Sequence, residues 1–183
     1  GMLMLQSGLS ALGHSGAWAD PAAVLSLLNR TLYENFRQRL RQEDFITLSL
    51  FRFLPDGRFR FAGAHEDVLI GRASTRTWEQ VQTRGTWVGV APNIEGLTKS
   101  REGRLAEGDV MVLVTDGVIE ARQQRREQFG FARVIAAADD AWGEPARATC
   151  RGIIDSVGAW SAEVEDDQTV VVVRRLARIA DKS

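Results

Sequence analysis

Apolar positions recur with two different periods along this chain, helical at both ends and alternating in the middle. From Met2 to Leu12, Leu3, Leu5, Leu9 and Leu12 fall near helical spacing, and Gly13-His14-Ser15-Gly16 breaks the run. Asp20-Pro21 then offers an N-cap and a preset first turn. Behind it Val24, Leu27, Leu28, Leu32 and Phe36 form a stripe at three-and-four spacing, which predicts a helix running towards Leu40. The period switches to two at Phe45, Thr47, Ser49, Phe51 and Phe53, set against Ile46, Leu48 and Leu50. Pro55-Asp56-Gly57 supplies turn chemistry, so Arg58–Ala62 returns as the second limb of a hairpin, with Phe59 and Phe61 buried and Arg58 and Arg60 wet. Further short strands are expected at Asp67–Gly71, Thr77–Thr83 and Trp87–Val90. Leu105–Thr115 follows, in which a turn at Glu107-Gly108-Asp109 feeds Val110-Met111-Val112-Leu113-Val114. After Phe129-Gly130 the helical period returns over Val134–Trp142 and Pro145–Trp160, and Thr169–Val173 closes as a strand of almost pure valine.

The runs Val110–Val114 and Thr169–Val173 are apolar on both faces, which predicts burial on both faces and a sheet enclosed between other layers with helices outside. The fold class is therefore α+β, with mainly antiparallel strands. Trp87 and Cys150 are expected in the core.

Composition bounds the rest. A chain of 183 residues fits one domain, 1–183, and its 44% hydrophobic and 26% charged residues exclude disorder and fibrous architecture. No apolar run approaches the roughly 20 residues that cross a bilayer, and the first residues lack a basic leader or cleavage site, so a cytoplasmic protein is expected. With Cys150 the single cysteine, no internal disulfide or Cys-based zinc site forms. A net charge of −1 provides no footprint for nucleic acid or an anionic membrane.

The candidate chemistry sits at the ends of the two apolar strands. Asp116-Gly117 directly follows one, and Glu165-Asp166-Asp167 directly precedes the other. If the strands are antiparallel neighbours, Asp116 meets the Asp166-Asp167 pair at one sheet edge. Each dipeptide alone is ordinary turn punctuation. Together they form an oxygen-only donor set suited to a hard ion, Mg²⁺ or Mn²⁺ rather than zinc.

Three blocks carry a resemblance to a known family. They are Phe59-Arg60-Phe61-Ala62-Gly63-Ala64-His65; Leu105-Ala106-Glu107-Gly108-Asp109-Val110 running on through Val114-Thr115-Asp116-Gly117-Val118-Ile119-Glu120-Ala121; and Glu165-Asp166-Asp167-Gln168-Thr169-Val170-Val171-Val172-Val173. The chain resembles the bacterial PPM-type (PP2C-like) serine phosphatases, in the branch of the sporulation phosphatase and the stress-sigma-factor regulators. Phe129-Gly130 and the segment Pro21–Tyr33 extend the likeness over nearly the whole chain. The resemblance implies a β-sandwich flanked by helical layers and two Mn²⁺ or Mg²⁺ ions bridged by a water or hydroxide that attacks phosphate in line. No side-chain nucleophile is implied. Asp116 and Asp166 match the family's metal aspartates, with Asp167 the second choice beside Asp166 and Gly117 next to the metal. His65 matches a turn residue without a metal role. The implied substrate is a phosphoserine on a signalling protein, such as an anti-sigma-factor antagonist.

The family also carries an aspartate on an early strand pair and another before a Gly-His-Gly at its first helix, and this chain starts inside that helix. Gly13-His14-Ser15 follows the first helical run rather than preceding it, and Asp20 is explained by capping. The N-terminal strands and their ligands are thus expected to be missing, through truncation or through natural loss. Three functions follow: a metal-dependent serine/threonine phosphatase, a pseudophosphatase acting as a signalling interaction module, or an unrelated domain with acidic turns. The first leads. Arg122, Arg101 and Arg104 are not separated by spacing as phosphate ligands.

Overall fold

The computed structural model of the chain describes residues 20–35, 37, 45–123, 127–161 and 163–177. The helix expected over Met2–Leu12, the Gly13-His14-Ser15 segment and the continuation of the second helix to Leu40 lie outside the described residues. The chain divides into two compact units, one drawn from the residues up to His65 and from Thr83–Arg104, the other from Glu66–Gln82 and from Leu105 onwards.

The first unit is built on helix α1 (Pro21–Glu34) and a three-stranded antiparallel sheet of β1 (Leu48–Phe53), β2 (Arg58–Ala64) and β5 (Arg101–Arg104), in the order β1-β2-β5. Asp20 caps the helix as its sequence foretells: its carboxylate accepts from the Ala22 N–H at 3.3 Å and from the Ser100 hydroxyl. Leu25 and Leu32 pack with Ala62 of the sheet and Val88, each large side chain contributing roughly 1.5–3 kcal/mol by leaving water. Asn29 is buried on the same helix, where its side chain accepts from the Gly89 N–H at 2.7 Å and donates to the Ala91 carbonyl at 2.9 Å. A polar residue on the apolar stripe thereby fastens a loop.

The hairpin is as expected: β1 and β2 pair from Leu48↔Ala64 to Phe53↔Phe59, and Phe59 and Phe61 are buried. Strand β5 is not visible in the hydrophobic pattern, because Arg101-Glu102-Gly103-Arg104 has no apolar residue. It is an edge strand, where charge deters further pairing. Arg60 faces Glu102 across the pair with a 2.6 Å ion pair, Arg101 lies over the Phe61 ring, and the Phe59 ring occupies the space above Gly103. Trp87–Val90, expected as a strand, makes only a bridge between Ile46 and Val88. Trp87 itself is not core: it is 45% exposed and stacks on Phe45, with ring centroids 4.5 Å apart.

The second unit holds a four-stranded antiparallel sheet in the order β4-β3-β6-β9, from β3 (Val68–Arg72), β4 (Thr77–Val81), β6 (Val110–Val114) and β9 (Val170–Arg174). Its remaining elements are the one-turn helix α2 (Asp116–Ile119), the small hairpin of β7 (Arg122–Gln123) and β8 (Glu127–Gln128), and helices α3 (Gly130–Asp140) and α4 (Ala146–Trp160). Val134, Ala137 and Ala138 of α3 and Ile153 and Val157 of α4 share one core with Leu69, Val110, Val112 and Val114 of the sheet. Strand β6 is buried at Val110, Met111, Val112 and Val114, with Leu113 half-buried, close to what its composition predicts. Strand β9 is not buried on both faces, since it is the outermost strand and Val171 is 48% exposed. Cys150 is half-buried on α4, its thiol directed to the Val170 carbonyl at 3.8 Å, rather than enclosed in the core. The molecule is α+β, as the sequence pattern indicates.

Candidate functional site

Strands β6 and β9 are antiparallel neighbours, with Val114 opposite Val170, so the end of one and the start of the other share a sheet edge. Thr115 joins them just beyond the ladder. Its N–H donates to the Thr169 carbonyl at 3.1 Å, its hydroxyl accepts from the Thr169 N–H at 3.0 Å, and the same hydroxyl donates to the Asp167 carbonyl at 2.9 Å. One small side chain thus ties the turn carrying Asp116 to the segment carrying Asp166 and Asp167.

Gly117 brings the two backbones together. A Cβ at this position would lie 2.5 Å from the Asp167 carbonyl oxygen and 3.2 Å from the Asp166 carbonyl carbon, so no side chain fits between them. The expected convergence of Asp116-Gly117 with Asp166-Asp167 is present, and it is made by main chain. The Asp116 carboxylate accepts from the Gly117 N–H at 2.9 Å and the Asp166 carboxylate from the Asp167 N–H at 2.7 Å. Asp116, Asp166 and Asp167 are all exposed, and among the described residues none of them forms an ion pair.

These donors are oxygens on exposed carboxylates without a counter-cation, which fits one hard divalent ion completed by water or a phosphate oxygen. They do not make up a two-ion centre. Among the described residues there is no group of three or more His, Cys, Asp or Glu side chains able to hold an ion, and two adjacent divalent ions need several carboxylates to offset their repulsion.

The other singled-out residues lie away from this contact or on its flank. His65 directly follows β2, where its N–H donates to the Thr83 hydroxyl at 3.0 Å and its carbonyl accepts from that hydroxyl, the geometry of a turn residue. Arg101 and Arg104 lie on β5 in the first unit, whereas Arg122 lies on β7, in the unit that carries Asp116.

Two residues escaped the sequence pattern. Asp109, read there as part of a turn, is 1% exposed and accepts from Arg72 Nη1, the Ala73 N–H and the Ala106 N–H, each at 2.9 Å. Burial pushes its carboxyl up, but those three donors outweigh burial and hold it below the usual carboxylate range. Arg72 also grips Glu79 through two hydrogen bonds of 2.9 and 2.8 Å, which lower the Glu79 carboxyl and raise the guanidinium. The second missed residue, Arg133, binds the β7–β8 hairpin that follows Asp116. An arginine among exposed helical residues carries no signal of such a role.

Comparison with known proteins agrees with this architecture. Among solved structures, the PP2C domain of SiaA from Pseudomonas aeruginosa superposes with a TM-score of 0.73 at 20% identity, over 94% of this chain and 68% of that one. The Mn-presoaked phosphatase domain of SpoIIE from Bacillus subtilis gives 0.60 at 17% identity, over 97% and 76%. The serine/threonine phosphatase PstP/Ppp of Mycobacterium tuberculosis gives 0.68 at 12% identity, over 96% and 83%. The fold is that of the PP2C-type phosphatase domains. The model of one family within it, Stage II sporulation protein E (SpoIIE), matches residues 1–176, and the chain belongs to that family. The phosphoserine phosphatase RsbU of Bacillus subtilis (strain 168) is 26% identical over 179 residues, which are 95% of this chain and half of RsbU. The chain therefore spans about half the length of that relative. Among the described residues no helix is long and apolar enough to cross a membrane.

Proposed function

We propose that residues 1–183 act as one phosphatase domain that hydrolyses phosphoserine on a regulatory protein with the help of Mn²⁺ or Mg²⁺. The observation that carries this reading is the contact of Gly117 with Asp167, which sets Asp116 and Asp166 at one exposed sheet end. Asp116 and Asp166 would hold the cation, with Asp167 beside them and Gly117 setting their separation. A divalent ion so held supplies Lewis-acid stabilisation of phosphoryl oxygens and makes water a better nucleophile near neutral pH. Thr115 keeps the two aspartate-bearing segments from spreading under their like charge. The exposure of all three aspartates suits a phosphate presented by another protein rather than a buried small metabolite. The RsbU match supports phosphoserine as the substrate class, and an anti-sigma-factor antagonist is the partner in keeping with the stress-regulator resemblance. A cytoplasmic setting accords with the single cysteine and the lack of an apolar span.

One observation favours a second reading, a pseudophosphatase that binds its partner without turnover. The described residues do not gather three metal-ligating side chains. Calorimetric titration with Mn²⁺, paired with hydrolysis of an aryl phosphate and a phosphoserine peptide, separates the two. The phosphatase reading expects Mn²⁺-dependent turnover, abolished by Asp116→Ala. Partner binding that survives Asp116→Ala, with no Mn²⁺ uptake and no turnover by the unaltered chain, would establish the interaction module instead.

A further inference from the structure

Thr115 and Gly117 connect the two aspartate-bearing segments at the sheet edge, next to the last pair of the β6–β9 ladder. A second attachment exists away from the carboxylates. Downstream of Asp116 the chain passes through α2 into the β7–β8 hairpin, which pairs Arg122 with Gln128 and Gln123 with Glu127 and closes through the Phe129 N–H on the Ala121 carbonyl at 2.8 Å. Arg133, on the first turn of α3, holds the returning limb. Its Nη1 donates to the carbonyls of Gln128 and Phe129 at 3.1 and 3.0 Å, and its Nη2 to the Glu127 carboxylate at 2.6 Å.

The same guanidinium lies over the Trp160 ring, 3.8 Å from its centroid. Trp160 Nε1 donates to the Glu127 carbonyl at 3.3 Å, and the Trp160 ring meets Phe129 edge-on at 6.3 Å. Trp160 is the last residue of α4, from which the chain leads to Asp166. One arginine and one tryptophan therefore bind the segment that leaves Asp116 to the helix end from which the Asp166 segment departs.

We propose that Arg133, Trp160 and Glu127 form a positioning clamp that sets the separation of Asp116 and Asp166 and thereby the affinity of that pair for a divalent cation. The inference rests on the cation role proposed above for the two aspartates. The core of this unit does not depend on the clamp, because α3 and α4 are joined by buried Val134, Ala137, Ala138, Ile153 and Val157, while the Arg133 side chain is 35% exposed. What Arg133 adds is geometric. A planar fork serves three acceptors on one side of a stacked ring, which an ammonium group cannot reproduce. Two bare carboxylates repel each other, so a segment loosened at one attachment moves away from the spacing an ion requires.

The test compares the unaltered chain with Arg133→Ala, Arg133→Lys and Trp160→Phe by hydrogen exchange without metal and by Mn²⁺ calorimetry. In Arg133→Ala the amides of 116–123 and of 163–169 are expected to exchange about tenfold faster together, while those of β3 and β6 keep their rates. Mn²⁺ affinity is expected to fall about tenfold, the scale of losing a group that orients metal ligands, and saturating Mn²⁺ should restore turnover. Arg133→Lys should recover little of either effect. Faster exchange in only one segment, or a uniform rise across the unit, would overturn the clamp as a link between the two aspartates. Faster exchange in both with unchanged Mn²⁺ affinity would overturn its role in tuning the site. If the unaltered chain takes up no Mn²⁺, the cation role fails with it, and the link between the segments stands or falls on the exchange alone.

Discussion

Gly117 and Asp167 approach so closely that a single added carbon on Gly117 would come within 2.5 Å of the Asp167 carbonyl oxygen. The proposed site is thus set by main-chain contact before any carboxylate takes part. An aspartate at 116 is useful only if the following residue lets the partner segment come near.

Gly117→Ala separates two opposing effects. Within a helix, alanine is favoured over glycine by about 1 kcal/mol. Here the obstructing atoms are backbone oxygen and carbon, which cannot swing aside as a flexible side chain does, and overpacking of this kind costs about 1–3 kcal/mol. The net expectation is a lower urea midpoint together with weaker Mn²⁺ uptake, read by denaturation and calorimetry. A variant more stable than the parent with the same uptake would show that the close approach places no demand on residue 117.

Thr115 offers a milder intervention. Thr115→Val keeps the shape but removes the acceptor for the Thr169 N–H and the donor for the Asp167 carbonyl, a loss of roughly 1–3 kcal/mol for two hydrogen bonds. Thr115→Ser retains both and should lie within about 0.5 kcal/mol of the parent. Chemical denaturation of the pair gives the answer, and equal stability of Val and Ser would remove the hydroxyl from the account.

Much of this arrangement was legible in the sequence for definite physical reasons. Alternation with Phe59 and Phe61 on one side, turn residues at Pro55-Asp56-Gly57 and a capping Asp20 all act locally, so pattern suffices to find them. Strand β5 was not legible because its strand character comes from pairing with β2 and from Gly103 making room for Phe59, not from its own residues. The valines of β9 overstated its burial, since composition does not tell an edge strand from an interior one. Trp87 failed similarly: its partner Phe45 is distant in sequence, and the two aromatic rings cover each other while remaining exposed. At the proposed site, the approach of the Asp116-Gly117 backbone to that of Asp166-Asp167 was legible from strand ends. The hydroxyl of Thr115 and the contacts of Arg133 depend on tertiary approach and left no trace.

Asp109 and Arg72 yield the last prediction, on stability against pH. The Asp109 carboxyl is held below its ordinary range despite burial, by the N–H groups of Ala73 and Ala106 and the Arg72 guanidinium. In the unfolded chain the same group titrates near about 3.9. Between the lowered folded value and the unfolded one, the unfolded chain binds the proton first, so stability falls as pH falls through that window and is fully present above it. Asp109→Asn turns one acceptor oxygen into a donor facing donors. It should cost about 3 kcal/mol at pH 7, the low end for breaking a buried pair, because Arg72 keeps its two bonds to Glu79. Urea unfolding of both proteins from pH 7 down to about 2.5 should show the gap between them constant above about pH 5 and narrowing below about pH 4. A gap that stays constant to the acid end would mean that the Asp109 charge contributes nothing and that only the shape of its side chain matters.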